Sequence, residues 1–129
     1  MLNDVKLLRA LARISTAQEQ LDDDTWRAVI PWEGMSFRLI VRRASGWLRI
    51  EVSPFLPAPA DPQAAGELYR ELLRRNRTLV EARFALADDG DVVLETIVDE
   101  AGGDAALGAG LDALVAAAQA HYSELVRRR

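Results

Sequence analysis

Apolar residues Leu7, Leu11, Ile14 and Leu21, with Leu8 beside them, recur at helical spacing, while Arg9, Arg13, Gln18 and Glu19 fall on the opposite side. The pattern predicts one amphipathic helix over 5–21, capped by Asn3 or Asp4 and closed by the run Asp22-Asp23-Asp24. The period then drops to two. Trp26, Ala28 and Ile30 alternate with Arg27, and Pro31-Trp32-Glu33-Gly34 reads as a turn. Phe37, Leu39 and Val41 next alternate with Arg38, Ile40 and Arg42. After Ser45-Gly46, Leu48, Ile50 and Val52 oppose Trp47, Arg49 and Glu51, so an antiparallel three-stranded meander is expected.

Prolines at 54, 57 and 59 lack amide donors and mark the stretch 54–59 as a connector around Phe55. Asp61 suits an N-cap and Pro62 the first helical position of a second helix, whose inward stripe is Ala65, Leu68, Leu72 with Tyr69 and Leu73, ending near Asn76. Glu71 and Arg75 sit one turn apart on it. Val80, Ala82, Phe84 and Leu86 then alternate with Glu81 and Arg83. Asp89-Gly90 turns the chain, and Val92, Leu94 and Val98 return with Glu95 opposite. A last helix follows Gly102-Gly103, capped by Asp104 and striped by Leu107, Leu111, Leu114, Ala118, Tyr122 and Leu125, with Arg127 to Arg129 meeting its C-terminal dipole. The expected fold is α+β, a single domain over 1–129 of order α-β-β-β-α-β-β-α. Its five-stranded antiparallel sheet carries the helices on one face.

Composition narrows the function classes. The 129 residues make one ordinary domain, and 16 basic against 20 acidic residues leave a net charge of -4, which argues against tight, sequence-independent binding to a phosphate backbone. With no cysteine there is no thiolate metal site or cysteine nucleophile, and one histidine provides no multi-histidine site. Arg9 and Arg13 break the early apolar run and no small-residue cleavage site follows, so a cytoplasmic protein without a membrane segment is expected.

Several residues invite a chemical reading and fail it. Asp88-Asp89-Gly90-Asp91 lacks the glutamate that a calcium loop places six after its glycine, where Thr96 stands, and fits a hairpin turn. Glycines 102, 103, 108 and 110 precede no Gly-Lys-Ser/Thr and do not spell a phosphate loop. His121 borders the apolar stripe of the last helix with no activated serine to serve, and reads as a packing histidine. The diverging acids at 22–24 read as a loop. No catalytic residue, cofactor site or metal site is therefore expected, and the protein is read as no enzyme.

One feature stands out. Alternation places Arg27, Arg38, Ile40, Arg42, Trp47 and Arg49, with Glu51, on the side of the first three strands away from the core. Guanidinium and aromatic groups together suit an acidic and apolar peptide, through bidentate and cation-π contacts. The competing reading is an ordinary wet face laced with salt bridges. Two further classes are weighed below it: an accessory factor that stacks single-stranded nucleic acid, or binds a nucleic-acid-binding protein, and a small-ligand receptor or enzyme.

Element order, together with Leu72-Leu73-Arg74-Arg75-Asn76, Ala82-Arg83-Phe84-Ala85-Leu86, Asp89-Gly90-Asp91-Val92-Val93-Leu94 and a terminal helix through Tyr122 and Leu125, resembles the YbjN family of bacterial proteins. Those proteins are often labelled sensory transduction regulators. The same order resembles the fold of class I type III secretion chaperones. The resemblance implies a non-enzymatic protein, chaperone or regulator, that binds an unidentified protein client, commonly as a homodimer, with no cofactor; a client segment in extended form is expected to lie over the outward sheet face or to add to a sheet edge. Val93, Ile97 and Ile40, apolar on nominally outward positions, are candidates for such a self-contact.

Overall fold

The computed structural model describes residues 2–127. Helix α1 spans Asp4–Ile14, and the Asn3 side chain accepts from the Lys6 amide at 2.8 Å. It ends seven residues before the sequence pattern does. Ser15 is extended, its hydroxyl donates to the Leu11 carbonyl at 2.6 Å, and the chain enters a strand, β1, over Ala17–Asp22.

The sheet accordingly has six strands and not the expected five. Strand β2 covers Thr25–Trp32, β3 Met35–Ala44, β4 Trp47–Leu56, β5 Arg83–Leu86 and β6 Val92–Asp99, and all neighbours in the order β1-β2-β3-β4-β6-β5 are antiparallel. The physical reason for β1 lies in the residues 15–20, which offer a helix almost nothing to bury. Leu21, which carried the helical reading, is exposed. Paired instead with β2, this polar stretch satisfies an edge that would otherwise be bare.

Two further expectations are corrected. Strand β4 continues through the cis Ser53–Pro54 bond to Leu56, burying Phe55 and Leu56, where a connector was expected. The ladder to β6 shifts register between Val52 and Leu56, which accommodates the proline. Strand β5 begins at Arg83, so Val80 and Ala82 precede it and Val80 is exposed.

The turns fall at the glycines the sequence marks, although Pro31 and Trp32, expected in the first turn, belong to β2 and pair with Ser36 and Met35. Glu33-Gly34 and Ser45-Gly46 join β2–β3 and β3–β4 with positive φ at both central residues, the two-residue hairpin geometry that matches strand twist. Helix α2 spans Pro62–Asn76 with the Asp61 carboxylate accepting from Ala64 at 2.9 Å. A 3-10 turn over Glu100–Gly102 leads into helix α3, Gly103–Arg127. Arg127 lies in its last turn, and the dipole contact expected of Arg128 and Arg129 falls outside the described residues.

One face of the sheet is the core. Trp26, Phe37, Leu39, Leu48, Ile50, Phe84 and Leu94 are buried there with Leu7 and Leu11 of α1, Leu68 and Leu72 of α2, and Leu107, Leu111 and Leu114 of α3, as the alternation predicts. At one end Phe37, Phe55 and Tyr122 form a cluster with ring centroids 5.3–6.0 Å apart, flanked by Trp32 and Phe84.

Candidate functional site: the outward face of the sheet

Because side chains alternate and register-paired residues share a face, the ladder fixes what stands beside what on the side away from the helices. One row crosses all six strands: Glu19, Arg27, Ile40, Glu51, Glu95 and Arg83. The next holds Thr25, Arg42, Arg49 and Ile97, and the one beyond it Ala44, Trp47 and Asp99. All six candidate residues thus lie on one face.

Charge on that face is arranged as a ladder of ion pairs. Arg27 pairs with Glu19, Arg42 with Glu51 at 3.6 Å, and Glu95 receives Arg49 at 3.4 Å and Arg83 at 3.7 Å. Glu51 and Glu95 stand directly opposite each other, and their side chains are only 12% and 9% exposed beneath the arginines. Two facing carboxylates would repel. The guanidiniums of Arg42, Arg49 and Arg83 offset that repulsion and cover the acids with their methylene stems. Arg38 stands apart, donating from Nε to the Ser53 carbonyl at 2.9 Å. The salt-bridged wet face weighed in the sequence is therefore present, and Glu95 and Arg83, which bind its far side together, come from strands outside the meander.

The face is not uniformly polar. Trp47 is 50% exposed and Ile97 40% exposed, and with Ala44, Arg42, Arg49, Thr25 and Asp24 they line a groove of about 660 Å³. A second depression, of about 510 Å³, holds Arg27 and Arg38 with Val29 and Glu19. The six candidates so divide into Arg42, Trp47 and Arg49 around the first groove and Arg27 and Arg38 around the second. Ile40 is buried and lines neither groove. Val93 is buried as well, so of the three residues singled out for self-contact only Ile97 remains exposed.

Arg43, adjacent to this set, turns the other way. Its guanidinium lies 5.0 Å from the Trp26 ring centroid, donates to Glu100 Oε1 at 3.0 Å and to the Leu2 carbonyl at 2.7 Å, and so ties the start of the chain to β3. Strict alternation in the sequence places it among the apolar positions Leu39 and Val41, which is the only signal of its role.

Among the described residues no group of three or more His, Asp or Glu side chains is placed to hold a metal ion, and no helix is long and apolar enough to cross a membrane.

No curated protein matches the chain. Among solved structures, a chain of the heterodimeric ExoU–SpcU complex from the type III secretion system of Pseudomonas aeruginosa superposes with a TM-score of 0.63 at 24% identity, covering 98% of this chain and 97% of that one. At that identity the likeness is one of fold. Sequence matching is specific about lineage: residues 4–127 fit the family described as "YbjN: Putative bacterial sensory transduction regulator", and the chain belongs to the YbjN family.

Proposed function

We propose that this protein is a non-enzymatic, cytoplasmic binding module, chaperone-like or regulatory, that holds a segment of another protein against the outward face of its sheet. The observation that carries this reading is Trp47, half exposed beside Ile97 and next to Arg42 and Arg49, which pair with Glu51 and Glu95. A large aromatic left in water beside an aliphatic contact has the character of an anchor. Arg42 engages Glu51 through Nη1 and Arg49 engages Glu95 through Nε, which leaves donors on both for carboxylates of a partner. The fitting segment carries an apolar or aromatic residue flanked by acids.

Family membership and the shared fold with a chain of a heterodimeric complex support a protein partner. Nucleic acid fits less well, since the net charge of -4 weakens long-range attraction to phosphates and Glu19, Glu51 and Glu95 add negative charge on this same face. The homodimer implied by the family, if built on this face, would use Ile97 and Trp47 and compete with the segment. A light-scattering mass that stays at 14.3 kDa over a wide concentration range removes the dimer without touching the partner reading.

A photo-cross-linking residue placed at Trp47, with a control at exposed Leu73 on α2, tests the proposal in native cells. A protein adduct from position 47 and not from 73 is expected. Adducts with nucleic acid alone, or identical adducts at both positions, overturn it.

A further inference from the structure

We infer that the groove at Trp47 selects a partner segment by the order of its side chains: a basic residue, an acidic residue two positions on, and a large apolar residue two beyond that, counted across the sheet from β2 toward β6. The inference rests on the partner-binding reading and specifies which segment satisfies it.

The lining gives the direction. Asp24 comes from the β1–β2 turn, Thr25 from β2, Arg42 from β3, Trp47 and Arg49 from β4 and Ile97 from β6, so the long axis of the groove crosses the strands. Thr25, Arg42, Arg49 and Ile97 are register partners in one row. Three strand spacings separate β2 from β6, about 14 Å, and residues on one side of an extended chain recur about every 6.7 Å. Three alternate residues of the segment therefore span the groove. They meet side chains and add no strand, because β3 and β4, over which they lie, are hydrogen-bonded on both sides.

Each part of the groove has its own chemistry. At the β2 end the carboxylates of Asp23 and Asp24 are exposed and make no hydrogen bond or ion pair among the described residues. The turn is held by other atoms: Asp22 Oδ1 accepts from the Asp24 N–H, and the Asp24 carbonyl accepts from the Arg43 N–H, both at 2.8 Å. In the middle, Arg42 and Arg49 face each other in register with side chains 59% and 57% exposed, while Glu51 and Glu95 lie beneath them. A group arriving from solvent meets the guanidinium donors before the buried carboxylates. At the β6 end Trp47 and Ile97 offer exposed apolar surface. Charge complementarity thus sets base, acid and apolar residue in that order. A segment with base and acid exchanged brings like charges against Asp24 and against the arginine pair.

The probes are the peptides acetyl-Gly-Lys-Ser-Glu-Ser-Leu-Gly-amide and acetyl-Gly-Glu-Ser-Lys-Ser-Leu-Gly-amide, equal in composition and net charge. Each is also made with its sequence reversed, so that both chain directions are sampled. Titrations of the full chain follow the Trp47 indole resonance, identified by its loss in Trp47→Phe. The better-bound direction of the first peptide should bind at least about fivefold more tightly than either direction of the second. Asp24→Lys changes an exposed turn side chain, keeps the backbone bonds of the turn, and should bring that ratio to within about twofold of unity. Equal affinities in the native chain, or a preference that survives Asp24→Lys, overturn the order and leave the Trp47 reading standing. No shift from any peptide at millimolar concentration also overturns it, and the adducts formed at position 47 then decide whether the partner reading falls with it.

Discussion

The guanidinium of Arg75 donates from Nη1 to Nδ1 of His121 across 2.8 Å, joining α2 to α3. Arginine has only donors, so the imidazole accepts at Nδ1 and is neutral, with its proton on Nε2. Arg75 also reaches Glu71 at 3.2 Å and Glu124, with its side chain 10% exposed, and the imidazole stands edge-on to Phe84 at 5.6 Å between ring centroids. This junction holds the two helices together beside Phe84 of β5.

Burial, followed by Arg75, holds the His121 pKa below its ordinary 6.5, against a smaller opposing effect of Glu124. The unfolded chain therefore takes up this proton at a higher pH than the folded one. Stability contributed by neutral His121 is complete above pH 6.5 and declines as pH falls through that value toward the folded pKa. Glu124, lowered from 4.5 mainly by its hydrogen bond to Arg75, adds a second loss only as pH falls below 4.5. Urea midpoints should drop between about pH 7 and 5.5 in the native chain and much less in His121→Gln. Equal slopes in the two would contradict the junction.

Gly110 of α3 packs so closely on β6 that an added Cβ would lie 2.6 Å from Val98 Cγ2. Helix propensity alone favours Gly110→Ala by about 1 kcal/mol, whereas overpacking costs about 1–3 kcal/mol, so a net loss in urea titration is expected. A stabilised variant would show that α3 stands further from the sheet.

Phe84→Ala removes a buried ring from the aromatic cluster and should cost about 3–5 kcal/mol. A loss below about 1 kcal/mol would mean that the sheet faces are assigned the wrong way round.

The Asn76 carboxamide accepts from the Phe84 N–H at 2.8 Å and donates to its carbonyl at 3.0 Å, standing in for a neighbouring strand at the β5 edge, and it predicts a different kind of failure. Asn76→Ala strips both partners from the Phe84 backbone, at about 1–3 kcal/mol for groups left unsatisfied, and uncovers the β5 edge. Faster amide exchange at Phe84 and concentration-dependent association are the expected readouts. Unchanged exchange would show that the carboxamide is incidental.

Most of the fold is legible in the sequence because its signals are local. Period-two alternation from Trp26 to Val52 gives both the strands and their inward face, and the paired positive φ values at Glu33-Gly34 and Ser45-Gly46 occur where turn residues interrupt it. β1 is missed because Ala17-Gln18-Glu19-Gln20 has no alternation of its own and pairs only because β2 offers an edge. The candidate face is legible as a set of residues, but not as a geometry. Which acid meets which arginine depends on β4 lying beside β6, a long-range pairing that places Glu95 between Arg49 and Arg83. The contact of Asn76 with the Phe84 backbone depends on where β5 begins, which composition around Val80 to Ala82 does not reveal.

The affinity of Trp47→Ala for a partner captured through the outward face tests the central claim most directly. Truncating a desolvated aromatic anchor costs about 2 kcal/mol or more, so binding should weaken at least about tenfold while the melting temperature stays nearly unchanged, because the ring fills no core. Arg38→Ala, at the margin of the face, should alter the salt dependence more than the affinity. Undiminished affinity in folded Trp47→Ala would place the partner elsewhere on the molecule, and a variant that fails to fold would show Trp47 to be part of the core; either result contradicts the account.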